Sequence, residues 1–255
     1  MPQAFCQIEL IILQPEKAER RPDMAEVITV SPIANPNIRA VTHRDRDEYY
    51  DVVFSKRLAD VTDIEVVKAA VQYAPHVCMV LLFNRAGQLI LQMRSDAKRH
   101  NPGMLDKTVG GHITWENHHD ILWSLIQEMT QELKIPLIPS PRSLYEERAR
   151  SVIPALDKFA FATQLGDPKL FYFSRLLSDG KRYIVPSIAH VYTGMYFGGV
   201  TPVDGEASGL AFRTLSQEQL RNGGMPVTDD LLQLINTHEQ DLVWMSELAQ
   251  KIGGM

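Results

Sequence analysis

Two carboxylates on one predicted helix are the first candidates for chemistry in this chain. In the stretch "GGHITWENHHDILWSLIQEMTQELKI" (residues 110–135), Glu128 and Glu132 are four residues apart. Residues at this spacing share one face of an α-helix. Gly110 and Gly111 precede the helix, and glycines let the backbone approach a ligand closely. Carboxylates one turn apart, with a backbone carbonyl, make the hard oxygen set that Mg²⁺ prefers.

The same helix also has an ordinary amphipathic pattern. With Glu128 at zero and 100° per residue, Glu132 falls at about 40°. Five apolar residues fall between about 60° and 160°, namely Leu125, Met129, Leu122, Leu133 and Ile126. Charges beside such an apolar stripe usually form a solvated face. Spacing alone therefore leaves two interpretations open, a metal site or the wet side of a helix.

A magnesium site of this kind would suit hydrolysis of a phosphoanhydride. Protein-bound Mg²⁺ usually completes its coordination shell with waters and substrate phosphates. The ion neutralises developing charge and positions water, and a spare carboxylate can accept the proton of that water.

Composition excludes several other classes of protein. The 255 residues are 45% hydrophobic with a formal net charge of -5, so we expect a sizeable core and no strong attraction to nucleic acid or anionic membrane. The two cysteines, Cys6 and Cys78, are too few for a disulfide framework and favour a reducing compartment. The first apolar run is broken by Glu9 and is a poor signal peptide. We predict a cytoplasmic protein without a membrane partner.

The pattern along the chain predicts strands and helices that intermix. "NRAG" between two apolar runs predicts a hairpin of Val77–Phe83 and Leu89–Met93. Residues 64–74 have helical spacing, residues 96–111 read as a loop, and the prolines of "PLIPSPRS" should end the helix that carries Glu128. "KFAFATQL", "KLFYFSRLL" and "YIVPSIAHVYTGMYFG" predict strands, and the tail predicts a helical segment capped by Thr228. This order favours a mixed sheet in an α/β or α+β fold.

The opening stretch resembles the Nudix box, whose form is G, five residues, E, seven residues, then R-E-U-x-E-E-x-G-U, where U is bulky and apolar. Gly110 is followed by five residues and Glu116, and residues 127–135 align with the second half. The flanks "VCMVLLFNRAGQLILQMRSDAKRHNPGMLDKTVGGHI" and "HVYTGMYFGGVTPVDGEASGLAFRTLSQEQL" are similar to strands around the box, so the match covers about residues 46–235. It is nearest the branch that also resembles isopentenyl-diphosphate isomerases. The resemblance implies a Nudix-like α/β/α sandwich with a mixed sheet over residues 46–255, after an N-terminal extension of residues 1–45.

The resemblance also implies roles for the residues of the box. Glu128 and Glu132 match the helix carboxylates that bind metal and support catalysis, with the carbonyl of Gly110 or Gly111 assisting. Gln131 stands at a third ligand position, where it would be a weak ligand. The implied cofactor is Mg²⁺, with Mn²⁺ as an alternative.

Three residues outside the box receive expected roles from the same resemblance. Glu206 in "PVDGEASG" matches an acidic residue of a later loop that acts as base or ligand, with an ordinary turn residue as the alternative. Arg94 and Lys98 lie beside the site in the family layout and would meet substrate phosphates, with simple surface solvation as the alternative.

The box departs from the family pattern at several positions. Ten residues, not seven, separate Glu116 from Gln127, so Glu116 is three residues out of register with the family pattern. Gln127 replaces the arginine that orients the glutamates by charge-assisted hydrogen bonds, and Gln131 replaces a glutamate. Lys134 replaces the glycine near the end of the helix. We expect neutral amides to hold the carboxylates and the ion less firmly.

Three rival chemistries find less support in the residues. An isopentenyl-diphosphate isomerase uses a cysteine acid before the box, where this chain has "DKTVGGH". A zinc hydrolase would need a pattern such as H-E-x-x-H, and adjacent His118 and His119 point apart on a helix. "SDGKRY" lacks the glycine and hydroxyl spacing of a phosphate-binding loop.

The function implied is Mg²⁺-dependent hydrolysis of a diphosphate linkage in a nucleoside diphosphate derivative or related small metabolite. The alternative is a non-catalytic or weakly active Nudix-fold protein that binds a nucleotide or a partner. The sequence leaves the substrate open, and a homodimer is the commonest oligomer.

Overall fold

The structure is a computed structural model that describes residues 39–41, 73–113, 120–203, 205–216, 220 and 224–255. Residues 64–72 of the helix predicted over residues 64–74 lie outside the described residues, as do Glu116, His118, His119 and the boundary predicted at residues 45 and 46. The last two residues of that predicted helix, Tyr73 and Ala74, belong to a strand instead. Ten strands are described: β1 Arg39–Val41, β2 Tyr73–Phe83, β3 Leu89–Arg94, β4 Leu105–Asp106, β5 Val109–His112, β6 Leu137–Pro139, β7 Ala160–Gln164, β8 Lys169–Leu176, β9 Arg182–Met195 and β10 Ala207–Arg213.

The described α-helices are α1 Ile121–Leu133, α2 Tyr145–Val152, α3 Asp229–Thr237 and α4 Glu239–Gly253. Short 3-10 turns at Arg142–Leu144 and Ile153–Ala155 flank α2. No helix within the described ranges is long and apolar enough to cross a membrane.

The hairpin of β2 and β3 confirms the turn predicted at "NRAG". The Asn84 side chain accepts hydrogen bonds from the backbone N–H of Ala86 and of Gln88, at 3.0 and 2.9 Å. Gly87 has φ of 69°, a left-handed conformation that glycine adopts without steric cost. An asparagine that bonds its own turn and a glycine with positive φ are the residues such a reversal requires.

The strands form one mixed sheet. Its main order is β10-β3-β2-β9-β7-β6, with β1 and β5 paired to β2, β4 to β3, and β8 to β9. Strand β2 runs parallel to β9 from His76 to Phe83 and antiparallel to β3 and β5. The central position of β2 and β9 explains their long apolar runs, because a strand between layers is buried on both faces.

Helices cover both faces of this sheet, which confirms the predicted α/β/α sandwich. Alternate residues of β2, from Val77 to Phe83, pack with the buried residues of α2, α3 and α4. The intervening residues Cys78, Val80 and Leu82 pack instead against α1 through Leu125, Met129 and Leu133. The period-two alternation of a strand therefore divides the core into two layers.

The prediction of a loop over residues 96–111 was wrong. The segment expected to be a loop contains β4 and β5, because its short apolar pieces pair with β3 and β2. Helix α1 ends at Leu133, just before Pro136, as the prolines predicted. The left-handed backbone of Lys134 (φ 54°) closes the helix: the N–H of Lys134 donates to the carbonyl of Thr130, and the N–H of Ile135 donates to the carbonyl of Met129. The helical tail is confirmed with Thr228 as its cap, and it divides at His238 into α3 and α4.

Candidate active site

Helix α1 begins with a side-chain cap and turns Glu132 toward the sheet. Asp120 accepts a hydrogen bond from the backbone N–H of Trp123 at 2.9 Å, the ordinary N-cap arrangement. Its buried residues are Ser124, Leu125, Met129, Glu132 and Leu133. Glu132 is only 6% exposed, so it does not belong to a wet face of the helix. Glu128 is half-buried and Gln131 is exposed.

Glu128 lies directly over Gly111. A Cβ atom placed on Gly111 would collide with the carboxylate and Cγ of Glu128, so a side chain there would displace the carboxylate. Gly110 is constrained by a different neighbour, because a Cβ there would collide with the side chain of Lys107. Both glycines lie in β5, paired with β2. The small size of Gly111 therefore lets Glu128 reach the strand backbone.

Glu132 is held from the neighbouring strand by Gln92. The amide nitrogen of Gln92 donates to the Glu132 carboxylate at 2.5 Å and to the carbonyl of Thr108 at 2.7 Å. Gln92 is 7% exposed. Gln92 was not predicted as a site residue from the sequence. A polar side chain within the apolar strand "LILQMR" was the feature that could have indicated it. Its partner lies 40 residues away, on an element whose packing the pattern does not fix.

Cys78 lies beneath the two carboxylates on the α1 side of the sheet. Its thiol is fully buried and lies 3.6 Å from the carbonyl of Gly111. Burial, followed by the negative charge of Glu128 and, more weakly, of Glu132, raises the pKa of Cys78 to about 12. The thiol therefore stays protonated, as expected of a small buried hydrophobe.

Arg94 faces inward rather than toward open solvent. Its Nε donates to the carbonyl of His100 at 3.0 Å, and its guanidinium pairs with the Asp106 carboxylate at 3.0 Å. The side chain is 20% exposed. Two of its five N–H groups are thus engaged within the protein.

Lys98 and Glu206 form an ion pair with each other. The backbone carbonyl of Glu206 also accepts from the N–H of Ser95 at 2.9 Å, which places Glu206 beside the end of β3. The side chain of Glu206 is 46% exposed and that of Lys98 is 17% exposed. The structure therefore joins two residues that the sequence assigned to separate roles.

A buried charge cluster lies next to these residues, and we define it as Arg94, Asp106, Lys107, Arg175 and Asp230. Lys107 bridges Asp106 at 3.1 Å and Asp230 at 3.5 Å, and Arg175 contacts Asp230 at 2.7 Å. Burial alone would raise the pKa of Asp106, but the charges of Lys107, Arg94 and Arg175 outweigh it and hold that pKa well below its usual range. These ion pairs link β3 to β4 and β8 to α3.

Glu128 and Glu132 could serve as ligands of Mg²⁺ only if other oxygen atoms complete the coordination shell of the ion. Within the described part of the chain, no three or more His, Cys, Asp or Glu side chains form a group that could hold a metal ion. Mg²⁺ commonly binds through one or two carboxylates and keeps waters and substrate phosphates. Glu128 and Glu132 would supply the two carboxylates of that smaller requirement.

Comparison with known proteins finds likeness at the level of structure. No family model and no curated protein matches the chain. A Deinococcus radiodurans protein matches with 20% identity over 64% of this chain and 82% of its own, at a TM-score of 0.44. A MutT protein from Methanosarcina mazei Go1 matches with 16% identity over 66% of this chain and 94% of its own, at 0.42. The NUDIX domain of Shewanella oneidensis NrtR, solved with ADP ribose, matches with 16% identity over 74% and 98%, at 0.42.

A MutT protein and a NUDIX domain are thus among the solved structures that the chain matches. The resemblance to the isomerase-like branch and the roles of the individual site residues stay predictions.

Proposed function

We propose that this protein hydrolyses a diphosphate linkage in a nucleoside diphosphate derivative or related small metabolite, with Mg²⁺ as cofactor and Mn²⁺ as a substitute. One observation carries the proposal. The Glu128 carboxylate lies against Gly111 and the Glu132 carboxylate is fixed by Gln92, so two carboxylates of one helix are held against the same sheet. Divalent ions and diphosphates form ternary sites around such carboxylates.

In this proposal Glu128 and Glu132 bind the ion, with the carbonyl of Gly110 or Gly111 beside them. The ion would supply charge neutralisation and a more acidic water. Gln131 is exposed, so it is at most a weak ligand through its amide oxygen.

Substrate phosphates and the proton of the attacking water need further residues. Lys98 is the better candidate for phosphate binding, because Arg94 already donates to His100 and Asp106. Glu206 is the proposed base that accepts the proton of the attacking water, once substrate phosphate competes for its partner Lys98.

A screen of diphosphate metabolites tests the proposal. Purified protein is incubated with nucleoside diphosphate sugars, dinucleoside polyphosphates and ADP ribose, with Mg²⁺ or Mn²⁺, and products are separated by chromatography. We expect metal-dependent cleavage of at least one compound by the wild-type protein and a loss of at least about a hundredfold in Glu132→Gln, the scale of a removed charge-stabilising group. Undiminished turnover in Glu132→Gln would overturn the assignment.

The second candidate function is a binding module without turnover. Gln127 and Gln131 favour it, because two neutral amides stand where the family pattern has charges. Calorimetric binding of a nucleotide together with no cleavage of any compound would support this candidate and overturn the hydrolase.

A further inference from the structure

We propose that Gln92 is the residue that positions Glu132, in place of the arginine that the box lacks at Gln127. The inference rests on the proposed function, since the purpose of positioning is to present Glu132 to a divalent ion. Gln92 acts through Glu132 and is a positioning residue.

The orientation of the Gln92 amide is fixed by its surroundings. Its nitrogen donates one hydrogen to the Thr108 carbonyl and the other to the Glu132 carboxylate. Both partners are acceptors, so a flipped amide would set its oxygen against two oxygens and lose both bonds. Only one orientation satisfies the site, and it directs an N–H at Glu132.

Thr108, whose carbonyl accepts a hydrogen bond from Gln92, is itself held firmly in the sheet. The Thr108 hydroxyl accepts from the N–H of Leu82 at 2.9 Å and donates to the carbonyl of Ile90 at 2.5 Å. Thr108 thus joins β2 and β3 where the two strands diverge, and it is fully buried. Thr108 is hydrogen-bonded to the hairpin, Gln92 to Thr108, and Glu132 to Gln92. These bonds fix the Glu132 carboxylate relative to the sheet.

A neutral donor has an electrostatic advantage at this position. A lysine or arginine beside Glu132 would offset part of the negative charge that attracts a metal ion. The amide holds one carboxylate oxygen by a hydrogen bond and leaves the negative charge in place. Gln92 therefore orients the ligand without competing electrostatically with the ion.

Binding of Mn²⁺, followed by the electron paramagnetic resonance signal of the free ion, tests this role without turnover. The variant Gln92→Met keeps the length of the side chain and removes the amide. We expect its dissociation constant for Mn²⁺ to rise by about tenfold or more, the usual effect of losing a group that orients a metal ligand. Gln92→Asn, which withdraws the amide by one methylene, should also weaken binding if the methionine variant does not fold.

A matched control removes a similar amide elsewhere. Gln233 donates to the Tyr172 carbonyl at 2.9 Å and to the Asp229 carboxylate at 2.6 Å, on the other face of the sheet. Gln233→Met should leave Mn²⁺ binding unchanged. In the Glu132→Gln background, Gln92→Met should cause no further loss, because the residue through which it acts is gone.

The outcomes separate this inference from the proposed function. If the wild-type protein and Gln92→Met bind Mn²⁺ equally well, the role of Gln92 is wrong and the metal site stands. If the wild-type protein binds no Mn²⁺ even with a diphosphate present, the metal site itself fails and the positioning role fails with it. An equal loss in Gln233→Met, or an added loss in the Glu132→Gln background, would show a general structural effect and overturn the inference.

Discussion

At the scale of single residues, the site depends on how two carboxylates are held. The position of the Glu128 carboxylate depends on the lack of a side chain at Gly111. The position of the Glu132 carboxylate depends on its hydrogen bond from the Gln92 side chain. The spacing of the two glutamates was predictable from the sequence because i and i+4 share a helix face. The Gln92 contact was not, because it depends on which strand residue lies under the helix.

The substitution Gly111→Ala should reduce activity with little effect on stability. The new methyl group would displace the Glu128 carboxylate, which is the mobile end of a side chain and can swing away. We expect metal-dependent turnover to fall by about tenfold or more, while the unfolding temperature changes little. Gly199→Ala is the control, since a Cβ there meets open space. Equal turnover in both variants would contradict the contact between Glu128 and the strand.

The Cys78 thiol should resist modification in the folded protein. Its pKa of about 12 leaves almost no thiolate at pH 8, and the side chain is fully buried. In a Cys6→Ser protein, an aromatic disulfide reagent should label no thiol under native conditions and one thiol in denaturant. Rapid native labelling would contradict the burial of this side chain beneath α1.

At the scale of elements, regular patterns were predictable and short or irregular ones were not. The hairpin followed from two apolar runs around an Asn and a Gly, and the Thr228 cap followed from hydroxyl chemistry. Strands β4 and β5 have two and four residues and include both glycines, so they carry no periodic signal. The end of α1 was predictable from the prolines that follow it, but the left-handed conformation of Lys134 was not, because such positions prefer glycine.

The substitution Lys134→Gly should stabilise the end of α1. Lys134 holds φ at 54°, where a residue with a Cβ is strained. We expect the free energy of unfolding to rise by about 1 kcal/mol, measured by urea denaturation. Lys134→Ala keeps the strained Cβ and should show no such gain. A loss of stability in the glycine variant would contradict the left-handed cap.

At the scale of the whole molecule, buried ionisable groups link stability to pH. His76 and His190 share a hydrogen bond of 2.8 Å across β2 and β9, so the pair needs one neutral acceptor nitrogen. Burial, helped by His76, lowers the pKa of His190 to about 3. Burial likewise lowers the pKa of His238 to about 4. The sheet order that creates the histidine pair joins residues 114 apart, which no local pattern predicts.

Stability should therefore fall as the solution is acidified. The unfolded histidines take up protons below about pH 6.5, whereas the folded ones resist until much lower pH. The stability that the neutral histidines contribute is fully present above the pKa of the unfolded histidines. It is lost as the pH falls toward the lower pKa of the folded histidines. Protonation of Asp106 causes a second loss of stability at lower pH, below the pKa of about 3.9 that this residue has in the unfolded chain. We expect the urea midpoint to drop between pH 7.5 and pH 5, and to drop less in His190→Gln. Equal slopes in the two proteins would contradict the buried neutral pair.

The central claim is that Glu128 and Glu132 hold one divalent ion, and a crystal soaked in Mn²⁺ with a non-hydrolysable diphosphate tests it most directly. An anomalous difference map locates the ion independently of any assay. We predict one peak at about 2.1–2.2 Å, the usual metal–oxygen distance for such small ions, from a carboxylate oxygen of each glutamate and from the diphosphate. A peak bound to neither glutamate, or no peak on this face of the sheet, would contradict the claim.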